Sequence, residues 1–551
     1  MTFFDYILSA VKQKLGAENL ALEIPKEKSF GDFSTNIAML GAKAERKNPR
    51  EVAASLLPKI QELPFAESVE IAGPGFINIK IKDDLIIQYA HDDGVEKTSR
   101  PLTICLDYGS YNVAKALHVG HLRGSIVGDT FYRIARHLGH KPISYNHMGD
   151  WGKPMALVIA WIIKKFPRDW NKPDFKIDED EFNGYYPAAS AHAAENPDFM
   201  AQVLQIKKDF QDGNAEYGAL YDKFMTISLA QMDEVVKRLG ILPFDRNLGE
   251  MNAAKYLPEV EKILRKKNLL TPSDGATIIN LKTESDTAPM PPLMFYDSRG
   301  ADTYDSTDIA TIYYRKITDA PDKIIYFTDY RQQLHFKQVF RAADMAGIFP
   351  LDGLEFPYYG GINGADGKPF KTRGGNVATL SDVIDSVDEA ARARGQGLPD
   401  KTIKMIALAA LKFNDLMHDV KSDYIFDPAA VVNFEGRTGP YILYTAVRLN
   451  SALKKSAFAA KDLKITNISD SFERDLLLKI LDFPRTVRAA FEKRAPDILA
   501  NYTYDLCQLA NGFYHNCKIS DDANRTAIAK KAADALAVCI NLMGMEVPEE
   551  M

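Results

Sequence analysis

Cysteine is scarce in this chain. Its 551 residues include four, Cys105, Cys507, Cys517 and Cys539, and no two form a CxxC pair. That spacing excludes a disulfide framework and a zinc finger, and it predicts reduced thiols in a cytoplasmic protein. Long apolar runs are also missing. The longest, Met155 to Ile163, falls well short of the roughly 20 residues that cross a bilayer, so no membrane association is expected. The opening MTFFDYILSA has neither a basic leader nor a small-residue cleavage site, and no secretory signal is expected. Nor does one charge dominate. Sixty-eight Lys and Arg face 74 Asp and Glu, a net charge of −6, which argues against wholesale non-specific nucleic-acid binding but allows a local basic surface. No internal repeat or low-complexity tract is present. What remains is 46% hydrophobic and 26% charged, the balance of a folded globular protein. At about 150 residues per domain, the length suggests roughly three to four domains.

The chain reads as three parts. Residues 1–95 form a small α/β module. Phe3, Phe4, Ile7, Leu8, Val11 and Leu15 predict a first helix, and alternating runs around Gly73-Pro74-Gly75 predict two paired strands. Residues 101–380 contain two strand-helix-strand units. The first has LTICL (102–106), a helix from Leu122 to Leu138 stopped by Gly139, and a strand ending at Asn146-His147. The second has KIIYFTD (323–329), a helix from Leu334 to Ala346, and LEFPYYGGI (354–362). Such units predict a parallel, Rossmann-like sheet with a ligand crevice at the carboxyl ends of its strands. An insertion at about 153–295 reads mostly as helix. From 381 to 551 helix follows helix, an all-α domain in which Arg437, Arg448, Arg485, Arg488 and Arg494 are interleaved with Tyr441, Tyr444, Tyr502, Tyr504 and Tyr514.

Three segments carry candidate chemistry. Asn112 to His121, with Lys115 and Gly120, lies between a strand and a helix, where backbone N–H groups and the helix dipole favour a phosphate. Its two histidines suit donation to a triphosphate, or a metal for which no third ligand lies nearby. Satisfied surface histidines are the plainer alternative. Asn146-His147-Met148-Gly149-Asp150-Trp151-Gly152 follows the next strand and is either a capped turn or part of the crevice. Gly367 to Gly375 packs Lys368, Lys371 and Arg373 into a glycine-bracketed loop, either a solvated loop or a cationic one that closes on phosphates.

Taken together, HVGH and KPFKT resemble the HIGH and KMSKS signatures of class I aminoacyl-tRNA synthetases. NVAKALHVGHLRGSIVGD, NHMGDWG, TYDSTDIA and GKPFKTRGG are similar to the arginyl-tRNA synthetase family. EIPKEKSFGDFSTNIAM resembles that family's N-terminal module, while FEGRTGPYILYTAVR and MGMEVPEEM resemble its anticodon-binding domain. The resemblance implies ATP-dependent activation of L-arginine and its transfer to tRNA(Arg), releasing AMP and pyrophosphate, with Mg2+ accompanying the nucleotide. It also implies that tRNA is needed before activation. No separate editing domain is expected, and a monomer is.

By the same resemblance, His118 and His121 hold ATP and stabilise the α-phosphate in the transition state. Lys115 and Lys371 supplement that charge, and Gly120 and Lys368 join the ATP site. Asp107 and Asn112 hold the amino end of the arginine or its surroundings. Tyr304, Asp308 and Gln332 surround the guanidinium, whose five donors want an in-plane carboxylate. Arg437, Tyr441, Tyr444 and Arg448 face tRNA, the tyrosines suited to stacking on splayed bases. The chain departs from the family pattern at several points. Tyr111 stands where proline is usual, and Gly109 and Gly124 where serine is common. Phe370 and Thr372 take serine-type positions, and Ser306 and Thr307 are smaller than usual. The rival readings are a class I synthetase of other specificity, a silent RNA-binding paralogue, and a free-standing nucleotidyltransferase.

Overall fold

The structure is a computed structural model. It describes all residues except 26, 92–96, 369, 371–377 and 460–462, and all side chains of the described residues except those of 44, 45 and 180.

The first helix is Phe3–Leu15, capped by the Thr2 hydroxyl and ended by Gly16 at φ 64°. Strands Ala66–Ala72 and Phe76–Ile81 pair antiparallel across the predicted turn, and Phe33–Thr35 adds a third strand. This module is fastened to the helical domain by arginines. Arg474 forks onto Asp32 at 2.6 and 2.8 Å and reaches Asp83, while Arg488 holds Asp5 at 2.9 Å.

The central sheet has five parallel strands, in the order Leu354–Glu355, Lys323–Tyr326, Thr103–Asp107, Lys141–Met148, Arg246–Gly249. From Thr103–Asp107 the chain winds one way, and from Lys323–Tyr326 the other. The switch point between these two strands opens a crevice at their carboxyl ends, where ligands bind in such sheets. The helix after the first strand is Gly120–His137, and the helix of the second unit is Gln333–Met345.

Two expectations need correction. The insertion is not simply helical. Its helices include Ala215–Arg238, but Arg246–Gly249 joins the main sheet as an edge strand. Leu270–Ser273, Ala276–Ile279 and Leu293–Tyr296 form a separate antiparallel sheet. Its hairpin turns on Asp274-Gly275, both left-handed at φ 48° and 82°, the signature of a type I′ turn. LEFPYYGGI is also not one strand. Pairing with the main sheet stops at Glu355, just before Pro357, which has no N–H to donate, and Ile362–Asn363 pairs instead with Tyr424–Ile425.

The C-terminal part holds seven helices of ten or more residues among the described residues, from Leu380–Arg394 to Ala523–Leu542, and one two-residue strand. All four cysteines are free and buried. No helix of the described residues is long and apolar enough to cross a membrane.

Candidate active site

The loop from Tyr108 to Val119 bends through two left-handed non-glycine residues, Ser110 at φ 49° and Ala114 at φ 57°. Such conformations cost free energy and need support. The Ala114 N–H donates to Ser228 Oγ at 3.1 Å, and the Val113 N–H donates to the Gly149 carbonyl at 3.2 Å. Asn112 thereby bridges to NHMGDWG. A Cβ on Gly149 would stand 2.6 Å from Asn112 Oδ1, so glycine is needed there.

At the start of the helix Gly120–His137 the His118 and His121 rings lie against each other, tilted by 32°, with centroids 4.1 Å apart. The His118 backbone N–H donates to His121 Nδ1, and the Gly120 N–H donates to His118 Nδ1, both at 3.1 Å. Each Nδ1 is therefore an acceptor, which leaves each Nε2–H as the free donor. Burial pushes His121 down to about 3, helped by its neighbour His118. Burial, Lys115 and Arg331 lower His118. At neutral pH the pair is uncharged and offers two N–H donors at a helix N-terminus. Gly120 leaves room for this pair, because a Cβ would lie 2.8 Å from the His118 ring.

Lys115 rests over the Tyr186 ring of the insertion, 3.9 Å from its centroid. Lys368 is exposed. Lys371 lies outside the described residues, as do Thr372 and Arg373, but the flanks of their loop are placed. Phe370 packs on Phe426. On the far side, the Leu380 N–H donates to the Leu117 carbonyl and the Val119 N–H to the Ala378 carbonyl, so the chain leaves this loop on the HVGH segment itself.

A second cluster is acidic. Tyr304–Asp319 is a helix with a capping box between Thr303 and Ser306. Tyr304, 63% exposed, and Asp308 lie one turn apart on it. Asp308 accepts from His335 Nε2 at 2.6 Å and faces His147 Nε2 at 3.5 Å, while His335 Nδ1 pairs with Asp305 at 2.9 Å. Burial opposes the charge on His335, but the bonds to Asp305 and Asp308 outweigh it and raise the ring to about 10. Burial would likewise raise Asp308, yet both histidines hold it well below the usual carboxylate range. Tyr304 packs 5.1 Å from the His335 ring. Gln332 is exposed, one turn ahead of His335.

Asp107 is buried and gives Oδ2 to Arg315, itself buried between Tyr145 and Tyr326. Only Oδ1, which lacks a partner, is left for the contact expected of it. Ser306 and Thr307 are small because both are buried on the inner face of their helix.

Sequence reasoning missed Glu250. It opens a short helix at the end of the edge strand. Asp150 positions it by accepting from the Met251 N–H at 3.0 Å and from the Tyr221 hydroxyl at 2.7 Å. Burial pushes Glu250 up to about 8; His147 opposes this, and Asp308 and Asp150 add to it. His335 was missed as well. Its one signal was a histidine three residues after Gln332.

The departures near the loop compensate one another. A Cβ on Gly109 would meet Asn146 Oδ1 at 2.5 Å, and that oxygen accepts from the Tyr111 N–H, which a proline would lack. The Tyr111 hydroxyl is bonded to Ser125 Oγ at 2.7 Å, and its ring meets His121 edge-on. Gly124 lets the Tyr359 hydroxyl approach.

On the helical domain, Arg448 lies over the rings of Tyr444 and Tyr514, at 4.7 and 5.0 Å, and donates to the Tyr444 hydroxyl, Asn511 and His515. The Tyr441 hydroxyl accepts from Gln508 and Asn511, and Arg437 covers Tyr504. Arg437, Tyr441, Tyr444 and Arg448 thus share one face. Tyr502 is core, and Arg488 and Arg494 are paired with Asp5 and Glu355.

Residues 85–428 match the catalytic domain of class I tRNA synthetases (R), residues 442–551 the DALR anticodon binding domain, and residues 4–81 the arginyl tRNA synthetase N-terminal domain. The arginine–tRNA ligase of Alkaliphilus oremlandii is 37% identical over 94% of both chains. That of Hyphomonas neptunium is 35% identical over 95% of this chain and 94% of its own. The crystal structure of arginyl-tRNA synthetase from Plasmodium falciparum shares the fold at a TM-score of 0.85 and 24% identity, covering 99% of this chain and 98% of that one. The Thermus thermophilus arginyl-tRNA synthetase does so at 0.81 and 21%, covering 99% and 100%. The chain belongs to the arginyl-tRNA synthetase family of class I aminoacyl-tRNA ligases.

Proposed function

We propose that the crevice activates L-arginine with ATP and passes the arginyl group to the 3′ end of tRNA(Arg), as a cytoplasmic enzyme divided at about residues 95 and 380. The observation that supports this is one crevice holding two unlike sites: a neutral donor pair at a helix N-terminus, and an acid pocket carrying a raised carboxylate. The first suits phosphate oxygens and the second a guanidinium.

In this reading the arginine carboxylate attacks the α-phosphorus of ATP and pyrophosphate leaves. A ribose hydroxyl of the tRNA terminus then attacks the carbonyl carbon, and AMP leaves. The protein contributes position and charge stabilisation. The Nε2–H groups of His118 and His121 donate to phosphate oxygens. Lys115 and Lys371 balance the growing negative charge, Gly120 keeps the approach open, and Lys368 sits at the rim. Asp308 and Glu250 take the guanidinium between them with Gln332 beside it, Tyr304 covers its flat face, and Asn112 and Asp107 Oδ1 serve the amino end. His147 and His335 do not touch substrate here; they keep Asp308 ionised. A neutral amino acid gives these carboxylates no bidentate donor, so the pocket selects arginine and needs no separate editing site.

Magnesium enters with the nucleotide as its complex. The one group of three ligand-type side chains close enough for a metal among the described residues, Asp470, Glu473 and Cys517, has Arg525 paired with both carboxylates. The Arg437–Arg448 face receives the anticodon end of tRNA by stacking and phosphate contacts.

Pyrophosphate exchange with each amino acid in turn, with and without tRNA, tests the reading. Exchange with arginine alone, and only once tRNA is added, is expected. Equal exchange with lysine, or none with arginine and tRNA together, overturns it.

A further inference from the structure

The helix that starts with the two histidines is tied to the helical domain by four buried charges. Arg123, two residues after His121, lies with Nε 3.0 Å from Asp415 Oδ1 and donates to the Ser422 carbonyl at 2.7 Å. Two turns on, Asp129 lies 3.8 Å from Lys412 Nζ. All four side chains are at most 1% exposed. The pairs are reciprocal: the Gly120–His137 helix supplies cation then acid, and helix Asp400–Leu416 supplies the opposite charges three residues apart.

The second pair is also a junction. Lys412 donates to the carbonyls of Gly240, just past the insertion helix Ala215–Arg238, and Gly544, at the end of the last helix, at 3.1 and 2.9 Å. Arg133 bonds Asp129 at 2.8 Å and reaches Gly240 and Asn541. Asp129 Oδ1 accepts from the Leu242 N–H. Three distant stretches of chain therefore meet behind the histidine helix. Gly544, at φ 67°, is part of the junction because a Cβ there would collide with Lys412 Nζ. This gives MGMEVPEEM a place that anticodon contact does not explain.

Buried ion pairs are poor sources of stability, because desolvation cancels most of their attraction; apolar residues of like volume serve as well. What they do provide is register: slipping the two helices past each other would part Arg123 from Asp415 and Lys412 from Asp129. We propose that Lys412 is a positioning residue, which with Arg123–Asp415 fixes the histidine helix against the helical domain and the closing segment and so sets where His121 stands. The inference rests on the reading of His121 as a phosphate donor.

The test is Lys412→Met in the full-length enzyme with saturating tRNA. Arg133 still pairs with Asp129, so the fold should survive, as a cooperative melt would show. In arginine-dependent pyrophosphate exchange, kcat should fall about 10- to 100-fold, the scale of a small misplacement of reacting groups. KM for ATP and arginine should stay within about two-fold. Lys412→Arg, which restores the charge, should recover most of kcat. Gly544→Ala displaces Lys412 without removing it and should show the same split, which keeps the test open if Lys412→Met does not fold. Wild-type kcat in Lys412→Met or in Gly544→Ala, KM values rising in step with the loss, or no recovery in Lys412→Arg overturns the proposal. If His121→Ala turned over normally, the phosphate reading would fall while a kcat-only loss in Lys412→Met still marked a positioning residue, so the two failures are distinguishable.

Discussion

Arginine should bind this enzyme more tightly as the pH rises from 6 to 8, and the source is Glu250. Its carboxyl is pushed up to about 8, chiefly by burial. At pH 7 the free enzyme therefore holds it protonated in roughly ten molecules for each that is ionised. A guanidinium needs the carboxylate, so binding must remove the proton first. That costs about 1.4 kcal/mol at pH 7, a tenfold loss of apparent affinity, and about 2.7 kcal/mol at pH 6. Above pH 8 the cost disappears and the affinity levels off. The sign is fixed: a proton leaves on binding, so raising the pH favours arginine. His121, at about 3, is already neutral throughout this window, and His335, at about 10, stays charged. His147, raised by the neighbouring Asp308 carboxylate against the pull of burial, titrates with the same sign, because losing its positive charge also favours a cation. Glu250→Gln separates the two.

The assay is calorimetric titration of arginine, with tRNA present, in two buffers of different ionisation heat. The wild type should release close to one proton at pH 7, and Glu250→Gln should release far less and bind with little pH dependence. A wild-type affinity that is flat between pH 6 and 8 would refute the reasoning. A slope unchanged in Glu250→Gln would move it to His147.

Three further outcomes are expected. His121→Ala should lower kcat by roughly 10²–10³-fold, the scale for one lost donor to developing charge, with an unchanged melting temperature; wild-type turnover would remove its role. Asp308→Asn should lose a few kcal/mol in kcat/KM for arginine, because a charge-assisted pair is weakened while His147 and His335 lose their anion; unchanged kcat/KM would point to Glu250 as the sole reader. Arg448→Ala should raise KM for tRNA by the equivalent of about 1–3 kcal/mol, more steeply with added salt, and leave kcat at saturating tRNA intact; a fall in kcat alone would argue against a tRNA-facing role.

The half of the crevice proposed for phosphate was legible in the sequence, and the half proposed for arginine only in part, for a physical reason. Binding a phosphate uses backbone N–H groups, a helix start and short donors, and neighbours in sequence supply all of these. Asn112 to His121 is such a stretch, and its histidines set their own tautomers through the N–H groups of His118 and Gly120. Reading a guanidinium needs two carboxylates around one cation. Side by side and empty, two carboxylates repel each other, so each must be stabilised separately, by different elements. Asp308 comes from a helix and is held ionised by His335 and His147, which lie 27 residues later and at the end of another strand. Glu250 comes from the end of an edge strand and stays protonated by burial. That strand, Arg-Asn-Leu-Gly, carries no apolar alternation, because it pairs with the sheet on one side only and most of its side chains face solvent. The polarity that hid the strand also hid the acid at its end. A specificity pocket for a cation is thus a tertiary construction, and its carboxylates become visible when burial and the histidines between them are.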